Sequence, residues 1–421
     1  MKLKTKSLVA LTVTACLGCL PSFAMADSFA ITNAKVYTAT ELGVLDNAVV
    51  VVTDGMITSV TSSENAAALT FDNVIDAQGG VVTPGFIASM NALGLVEVSA
   101  VADSRDSHHK NADITFDPSY AYNPKASSIA YTRKGGITRN VVTGAGGEDM
   151  FAGQAFLVDL SGEWDSVKQS NIAVYVKLGA NSEGSRAAYV QELVTKLEKA
   201  QKAQAKSTDA KDKSDAAEPE LADEIINELL AGKKPLVVAV DRAIDILTML
   251  KIKQQFGLNM VLIGGADAVL VADEIAKANV PVMIDAMRNL PDNFDSLHNH
   301  LANAGKLTAA GVKVILTDMG DSHNVYGLRY SAGNAVANGM SYQAAIEAIT
   351  SNVADTFKID TGRIAPGKTA DLVIWSGDPF EYSSQVVKMF IDGKEQQTKS
   401  RHDKLRDRYM TQSDMPRAYS K

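Results

Sequence analysis

The stretch that decides the fold is Val82-Thr83-Pro84-Gly85-Phe86-Ile87-Ala88-Ser89-Met90-Asn91-Ala92. Its first part is an apolar run that predicts a buried strand with a Pro-Gly step inside it. Its last part carries Met90 and Ala92, and neither side chain is a normal ligand for a divalent ion. The stretch therefore predicts a buried strand that ends without a metal ligand.

Two β-rich segments lie on either side of a long middle section. Asp54-Gly55 separates two valine-rich and isoleucine-rich runs near the start, and Asp392-Gly393 follows another such run near the end. The Asp-Gly dipeptide favours the positive φ angles of a tight hairpin. We therefore expect residues 27–83 and 362–397 to pair into one composite β-sandwich.

The middle section alternates short apolar strands with amphipathic helices. The strands are predicted at residues 137–143, 235–241, 260–263, 280–285 and 312–318. Predicted helices between them include residues 243–256, 266–278 and 294–310. This alternation favours parallel βα units closed into a (β/α)8 barrel over residues 84–361. A doubly wound open sheet is the alternative, but no glycine-rich nucleotide loop supports it.

Two further segments are strongly polar. Residues 196–220 are dominated by Lys, Ala, Gln, Asp and Ser. They predict a charged insertion within the barrel, either a solvated helix or a disordered segment. Residues 398–421 form a polar tail that we expect to be a surface helix.

Residues 1–26 have the features of a secretory signal. Lysines precede an apolar run that is too short for a membrane span, and Ala24-Met25-Ala26 forms a small-x-small cleavage site. Cleavage near Ala26 predicts a periplasmic or secreted protein. A lipoprotein anchored through Cys16 is the alternative, because Val13-Thr14-Ala15 precedes that cysteine. Both cysteines lie in this segment, so the cleaved chain would carry no disulfide.

The charge balance of the chain limits its partners. The sequence has 41 basic and 49 acidic residues and a net charge of −8, which speaks against nucleic acid. No apolar run after the signal is long enough to cross a membrane. The expected partners are a small-molecule ligand or substrate and, in an oligomer, further copies of the chain or an active relative.

Several motifs in the same order resemble the amidohydrolase superfamily, and in particular its imidazolonepropionase-like and prolidase-like members. Pro84-Gly85-Phe86-Ile87 resembles the first barrel strand, and Gly136-Ile137-Thr138 resembles the second-strand motif. Thr350-Ser351-Asn352-Val353-Ala354 is similar to the helix that closes the barrel. The longest match is Gly362-Arg363-Ile364-Ala365-Pro366-Gly367-Lys368-Thr369-Ala370-Asp371-Leu372-Val373, the return into the β-sandwich. The resemblance implies a metal-binding barrel with a β-sandwich attached.

The metal ligands that this resemblance implies are mostly missing. Met90 and Ala92 stand at the positions of a His-x-His pair on the first strand. The next histidine position holds Ala239 or, with a shifted register, Val240. The following histidine position holds Gly264. We therefore expect no cofactor and no metal at the usual place.

Some polar residues remain at the positions that the resemblance places at the barrel mouth. Asp318 matches the last-strand aspartate and is the one catalytic candidate, as a proton acceptor. Lys177 could match a carboxylated lysine, but a lysine that caps a strand end is the favoured interpretation. Asp318, Asp321 and His323 share one loop, and a divalent ion relocated to this loop is the alternative to a metal-free site.

Five residues are candidates for ligand binding at the mouth: His108, His109, Met90, Asp321 and His323. An apolar floor with a few polar groups around it is typical of a small-ligand pocket. His298 and His300 are not included, because two positions apart on a helix they would point to opposite sides.

Two functions follow from these residues. The resemblance implies an exported hydrolase of C–N bonds, acting on a cyclic amide or a dipeptide through a metal-activated water. The missing ligands favour a non-catalytic member that binds a small ligand or pairs with an active relative.

Overall fold

The computed structural model describes residues 28–66, 73–178, 185–209, 220–319 and 321–410. Within these residues there are sixteen strands: β1 Ser28–Tyr37, β2 Val44–Thr53, β3 Met56–Ser62, β4 Val74–Asp76, β5 Val81–Pro84, β6 Phe86–Asn91, β7 Ile137–Thr143, β8 Phe151–Asp159, β9 Val167–Lys177, β10 Leu236–Val240, β11 Met260–Gly264, β12 Val282–Ile284, β13 Val314–Leu316, β14 Leu372–Trp375, β15 Val386–Ile391 and β16 Lys394–Glu395.

The same residues form eleven α-helices: α1 Ser63–Ala66, α2 Ser127–Thr132, α3 Arg186–Asp209, α4 Leu221–Leu230, α5 Ala243–Phe256, α6 Ala272–Lys277, α7 Asn303–Ala309, α8 Leu328–Ala337, α9 Tyr342–Ala348, α10 Ser351–Phe357 and α11 Arg401–Met410. In this described part of the chain, no helix has both the length and the apolar character that a membrane span needs.

The predicted signal at 1–26 lies outside the described residues, and so do residues 210–219 of the insertion and 411–421 of the tail. The insertion begins inside helix α3, which is not fully solvated. Leu197 on α3 is buried in the same apolar cluster as Ile225 on α4. The first turns of the insertion therefore belong to a helix that packs on the barrel.

The small domain is one strongly curled sheet with the strand order β16-β15-β14-β5-β1-β2-β3, to which β4 adds beside β1. The N- and C-terminal segments meet where β5 pairs antiparallel with β14, with Pro84 opposite Leu372. The sheet curls enough that Phe29 on β1 stacks on Phe390 on β15, with 4.7 Å between ring centroids. The predicted fold class, a barrel with a small β-domain made of both chain ends, is confirmed.

The two Asp-Gly turns have the predicted geometry. Asp54 and Gly55 have φ angles of 50° and 77°, and Asp392 and Gly393 have φ angles of 51° and 72°. These left-handed conformations suit the two-residue hairpin. The turns also contact each other, because a Cβ on Gly393 would lie 2.5 Å from the Cα of Gly55. Glycine is therefore required for packing as well as for φ.

The large sheet forms the barrel, with the strand order β13-β12-β11-β10-β9-β8-β7-β6. All neighbours are parallel except at β8, which is antiparallel to both β7 and β9. The expectation of parallel βα units throughout was therefore wrong at this point. The connections at residues 144–150 and 160–166 are too short for a parallel crossover, which needs about a dozen residues or more.

The inside of the barrel is apolar. Ile87, Val141, Val237, Ile263 and Ile315 come from five different strands and pack in one buried cluster. Helix α10 adds its own apolar side chains to this cluster. The sheet edges approach each other where the Thr317 hydroxyl donates to the Ser89 carbonyl at 2.6 Å.

A buried ion pair joins the barrel to the small domain. Arg139 on β7 donates from Nε to Asp371 Oδ2 at 2.6 Å and from Nη2 to Asp371 Oδ1 at 3.1 Å. Its Nη2 also pairs with Asp392 in the C-terminal turn. Burial opposes the charge on Arg139, but the two carboxylates raise the pKa of its guanidinium. Asp371, from the longest matching motif, thus holds the two domains together.

One predicted helix of the barrel is present and another is largely a loop. Helix 243–256 is confirmed at both ends, but the prediction of a helix at 294–310 was wrong, because only α7 is helical there. In the preceding loop, the Ser296 hydroxyl accepts from the backbone N–H of Asp292 and of Asn293. Such side-chain bonds satisfy the backbone locally and compete with a helix. His298 and His300 therefore lie in a loop.

Candidate functional site

The first barrel strand ends in a β-bulge at Met90. The pairing of β6 with β7 skips a residue between Ser89 and Asn91, and Met90 has a φ of 56°. Its side chain joins the apolar cluster inside the barrel. Asn91 turns instead to β7, where it exchanges two amide hydrogen bonds with Asn140, at 2.9 and 2.8 Å. The strand end therefore presents a thioether to the barrel interior.

The later strands also present no histidine to the interior. Ala239 packs against the interior cluster, whereas Val240 belongs to the outer cluster, so Ala239 is the inward-facing position. Gly264 has a φ of 98°, and a Cβ on it would lie 2.7 Å from Asp241 Oδ1. The Asp241 carboxylate therefore occupies the space that a histidine side chain at residue 264 would need.

Asp241 is a mouth residue that the sequence analysis did not select. It follows strand β10, and its Oδ1 accepts a hydrogen bond from the Ala266 N–H at 3.2 Å. Burial raises the pKa of its carboxyl group, and the Ala266 N–H opposes that shift. Burial, together with the negative charge of Asp241, raises the pKa of Tyr175 to about 12. A polar residue directly after a fully apolar strand was the signal that could have identified it.

Lys177 acts as a strand-end cap in this structure. Its Nζ donates to the backbone carbonyl of Ala145, and burial lowers the pKa of its amino group. The Ala145 N–H in turn donates to the Ser107 carbonyl at 2.7 Å. The turn at residues 144–147 needs its glycines because the carbonyls of His109 and Lys110 pass directly over Gly147.

The polar candidates at the mouth are spread over separate loops. Asp318 follows β13 and is half-buried. Asp321 and His323 are largely exposed, with 3.9 Å between Oδ2 and Nδ1. His108 and His109 are exposed on the loop before residue 112, where His109 stacks on a phenylalanine ring. The structure does not bring Met90 and these histidines to one cavity.

His298 and His300 have different partners. His298 Nδ1 lies 2.6 Å from Asp267 Oδ1, and Asp267 Oδ2 also accepts from the Ala243 N–H at 3.1 Å. His300 Nδ1 accepts from the Ala302 N–H at 3.0 Å. The two imidazoles therefore do not share one ion.

The cavity at the barrel mouth is small. It has a volume of about 30 Å³ and is lined by residues that include Asp241, Gly264, Asp285, Arg288 and His300. Pockets for small-molecule ligands usually measure roughly 300–1,000 Å³. This cavity has space for a water or two in the conformation described.

The side chains at the mouth do not fit the metal that the resemblance implies. Zinc needs at least three nitrogen, sulphur or carboxylate ligands from the protein. Among the described residues, no three His, Cys, Asp or Glu side chains come together in a way that could hold an ion. At three of the expected histidine positions, 90, 239 and 264, the structure has a thioether, a methyl group and a glycine. We therefore derive no reaction step through a metal.

Comparison with known proteins identifies the family. The model of the amidohydrolase family matches residues 165–396, more than half of the 421 residues. The chain belongs to the amidohydrolase family. This assignment confirms the resemblance that the sequence motifs carried. The family is named for hydrolases that act on amides, in which the bond cleaved is a C–N bond.

The matches to single proteins are more distant. The amidohydrolase tasK of Hapsidospora irregularis is 25% identical over 177 residues, which cover 34% of this chain and 18% of tasK. An amidohydrolase structure from Thermotoga maritima is 23% identical, with a TM-score of 0.79, over 87% of this chain and 99% of that one. A prolidase crystallised with N-methylphosphonate-L-proline is 16% identical, with a TM-score of 0.55, over 87% and 99%. At these identities the structural matches establish the fold alone.

Proposed function

We propose that this amidohydrolase has kept the family scaffold but not metal-dependent hydrolysis, and that it acts as a non-catalytic member. The observation that supports this most is the inner face of the mouth. Met90, Ala239 and Gly264 occupy three expected histidine positions, and none has a side-chain nitrogen or oxygen. Met90 and Ala239 also pack in the apolar cluster that fills the barrel.

Several positions at the mouth differ together from the family pattern. This supports a change of function more strongly than the loss of one ligand would. The Asp241 carboxylate lies in the space above Gly264, so a histidine cannot return there by one substitution. The small cavity beside it leaves little space for a substrate.

Metal analysis of the purified chain tests the proposal. The protein is purified with zinc present, dialysed, and measured for bound metal and for hydrolysis of dipeptides and cyclic amides. A family member that retains the His-x-His pair serves as positive control. We expect far less than one ion per chain and no turnover. One or two tightly held ions, lost on Asp318→Ala, would restore the metal-dependent hydrolase as the better account.

Hydrolysis of a C–N bond without the usual ligands is the second candidate. The observation that favours it is the 2.6 Å contact between His298 and Asp267 beside the mouth. An imidazole that a carboxylate orients is a common general base. If this pair is catalytic, His298→Gln should abolish any activity found in the dipeptide and cyclic-amide assay. An activity that persists in this variant would exclude that role.

A partner subunit explains the exposed loop at the mouth better than a small ligand does. On the loop at residues 286–302, the exposed fractions of Met287, Leu290, Phe294 and Leu297 are 58%, 76%, 91% and 58%. Apolar side chains clustered on one surface segment are typical of a protein interface. We propose that a second copy of the chain covers this loop, since symmetric homodimers are the commonest oligomers.

Light scattering on the purified protein measures its mass in solution and so tests whether it forms a dimer. We expect the mass of a dimer for the wild type and of a monomer for Leu290→Ser with Phe294→Ser. The control is Tyr120→Ser, which changes a side chain that is 93% exposed elsewhere. A wild-type monomer at high protein concentration would contradict this part of the proposal.

Export is part of the proposed function. Its support is the small-x-small site at Ala24-Met25-Ala26 after a short apolar run. Sequencing of the mature N-terminus from a bacterial host should find Asp27 as the first residue. A lipid attached to Cys16 would instead establish the lipoprotein form.

A further inference from the structure

A second cavity lies near the start of strand β6, where the barrel meets the small domain. It has a volume of about 440 Å³ and lies between α2, α8, the loop after β14 and helix α11. Its position follows from Arg329, which lies 5.3 Å over the ring of Trp375. Trp375 in turn stacks at 5.4 Å on Phe86, the first residue of strand β6. We call this cavity the tyrosine cleft, after Tyr131, Tyr326, Tyr330 and Tyr382 in its wall.

Arg329 is a buried cation in the wall of the tyrosine cleft. It is 4% exposed. Its Nη1 and Nη2 donate to the backbone carbonyls of Pro379, Glu381 and Ser384 and to the Tyr330 hydroxyl, at 2.6–3.0 Å. No carboxylate of the described residues is among these acceptors, and its buried Nε has no hydrogen-bond partner among them.

A buried charge without a counterion is costly. Burial lowers the pKa of the Arg329 guanidinium, although the neighbouring tyrosines oppose that shift. Buried charges in proteins are normally paired with an opposite charge. An anion in the adjoining cavity would supply the missing negative charge.

Further cations surround the opening of the tyrosine cleft. Lys134, Lys399 and Arg406 line it together with one acidic residue, Asp403. Lys134 binds Asp403 at 2.8 Å, and Lys399 binds Asp407 at 2.8 Å. Even with both aspartates counted, the four cations around the cleft leave a positive excess, on a chain whose net charge is −8. A concave surface with an excess of one sign of charge attracts ions of the opposite sign.

The rings provide flat apolar surface beside these charges. Tyr330 and Tyr382 stack with 4.5 Å between centroids and 15° between planes. Tyr131 and Tyr326 meet edge to face at 4.7 Å. Tyr382 is 79% exposed although it is a large aromatic residue, so its stacked ring keeps an accessible face. Aromatic faces of this kind bind planar groups by stacking.

We propose that the tyrosine cleft binds a small organic anion, with its carboxylate or phosphate directed to Arg329 and the cations at the opening, and its planar part stacked on the tyrosines. The geometry separates this site from the barrel mouth, and it does not depend on the function proposed for the mouth. Carboxylate and phosphate share the charge and the hydrogen-bond acceptors that an arginine recognises.

Calorimetric titration of the full chain with four probes tests the site: benzoate, phenyl phosphate, inorganic phosphate and benzyl alcohol. We expect benzoate or phenyl phosphate to bind more tightly than inorganic phosphate, which lacks the ring, and than benzyl alcohol, which lacks the charge. The two aromatic anions distinguish a carboxylate ligand from a phosphate ligand. Higher salt should weaken binding, because the opening of the cleft is exposed to solvent.

Two substitutions with matched controls locate the site. Tyr382→Ala should weaken binding about tenfold, the equivalent of ~1.4 kcal/mol, whereas Tyr409→Ala, with the same 79% exposure, should leave it unchanged. Lys399→Met should weaken it several-fold, and Lys404→Met, an exposed lysine outside the cleft, should not. Arg329 is left intact because its carbonyl contacts support the fold.

Three results would overturn the proposal. The first is that no probe binds at millimolar concentration. The second is binding that Tyr382→Ala and Lys399→Met leave unchanged, which would place the probe elsewhere. The third is equal affinity for benzyl alcohol or for inorganic phosphate, which would remove the charge or the ring from the recognition.

Discussion

The Asp241 carboxylate lies where a side chain at Gly264 would have to go: a Cβ on Gly264 would be 2.7 Å from Asp241 Oδ1. The φ of 98° at Gly264 is one that residues with side chains rarely adopt. Both constraints act at a position where the family resemblance implies a histidine. The backbone conformation and the Asp241 carboxylate therefore both exclude a side chain at residue 264, including the histidine that the resemblance implies.

Gly264→Ala should lower the free energy of unfolding by roughly 2–4 kcal/mol, since the left-handed conformation and the overpacking both contribute. The control is Gly257→Ala. Gly257 also has a positive φ, 68°, but a Cβ there would have nothing within 4 Å. Urea denaturation gives the free energy of unfolding of both variants. Their difference separates the cost of the positive φ angle from the cost of the contact with Asp241. Equal losses in the two variants would mean that Asp241 moves aside at no cost.

Asp241→Asn should raise the melting temperature at neutral pH. Burial raises the pKa of this carboxyl group, so the folded chain holds the proton more tightly than the unfolded chain. Protonation of Asp241 contributes most to the free energy of unfolding below the unfolded pKa of about 3.9. This contribution is lost as the pH rises through the higher pKa of the folded chain.

The gain from the amide should be of order 1 kcal/mol at pH 7 and should shrink as the pH is lowered toward the unfolded pKa. Thermal melts of wild type and Asp241→Asn across this pH range measure it. A difference that stays constant with pH would show that the carboxyl group does not titrate differently in the folded chain.

Arg139→Met should cost about 3–5 kcal/mol, because it leaves the buried Asp371 carboxylate without its cation. Arg139→Met combined with Asp371→Leu should recover much of this loss. The control is Lys388→Met, which breaks an exposed pair with Glu395 at 2.7 Å and should cost less than about 1 kcal/mol. Chemical denaturation gives all three values. A double variant no more stable than Arg139→Met would mean that Arg139 acts through packing and not through charge.

Met90→His with Ala239→His should not create a zinc site. Both residues pack in the interior cluster, but two imidazoles remain short of the three protein ligands that zinc needs. The buried polar rings should also cost on the order of 1–3 kcal/mol each. Elemental analysis and a thermal melt, each compared with wild type, measure the two effects. One zinc ion per chain would show that a third ligand is already in place.

The elements that sequence patterns predicted well are those with local signals. Helix α5 was predicted at both ends because its apolar pattern stops at Gly257, which adopts the left-handed C-cap conformation with a φ of 68°. Strand β7 was predicted over its full length because five of its seven residues are β-branched and glycines bound the segment on both sides. Family motifs supplied the order of the domains.

The elements that were missed depend on contacts between distant segments. Strands β8 and β9 form an antiparallel hairpin inside a parallel barrel, and a strand's direction is not encoded in its own pattern. His298 and His300 lie in a loop because the hydrogen bonds of the Ser296 hydroxyl stabilise a turn before them, and the apolar pattern does not indicate these bonds. At the site, the absent histidines could be read directly from the sequence. The approach of Asp241 to Gly264 could not, since it joins two different loops.

The sheet of the small domain is finished by strands from the far end of the chain. Thr83 on β5 and Trp375 on β14, whose side chains share a hydrogen bond, are 292 residues apart. Until β14 has been synthesised, the edge of β5 stays unpaired, and a bare edge is a template for aggregation. Such long-range pairing also forms slowly. The nascent polypeptide therefore cannot complete this sheet until residue 375 has been synthesised, and until then the open β5 edge is accessible to a chaperone.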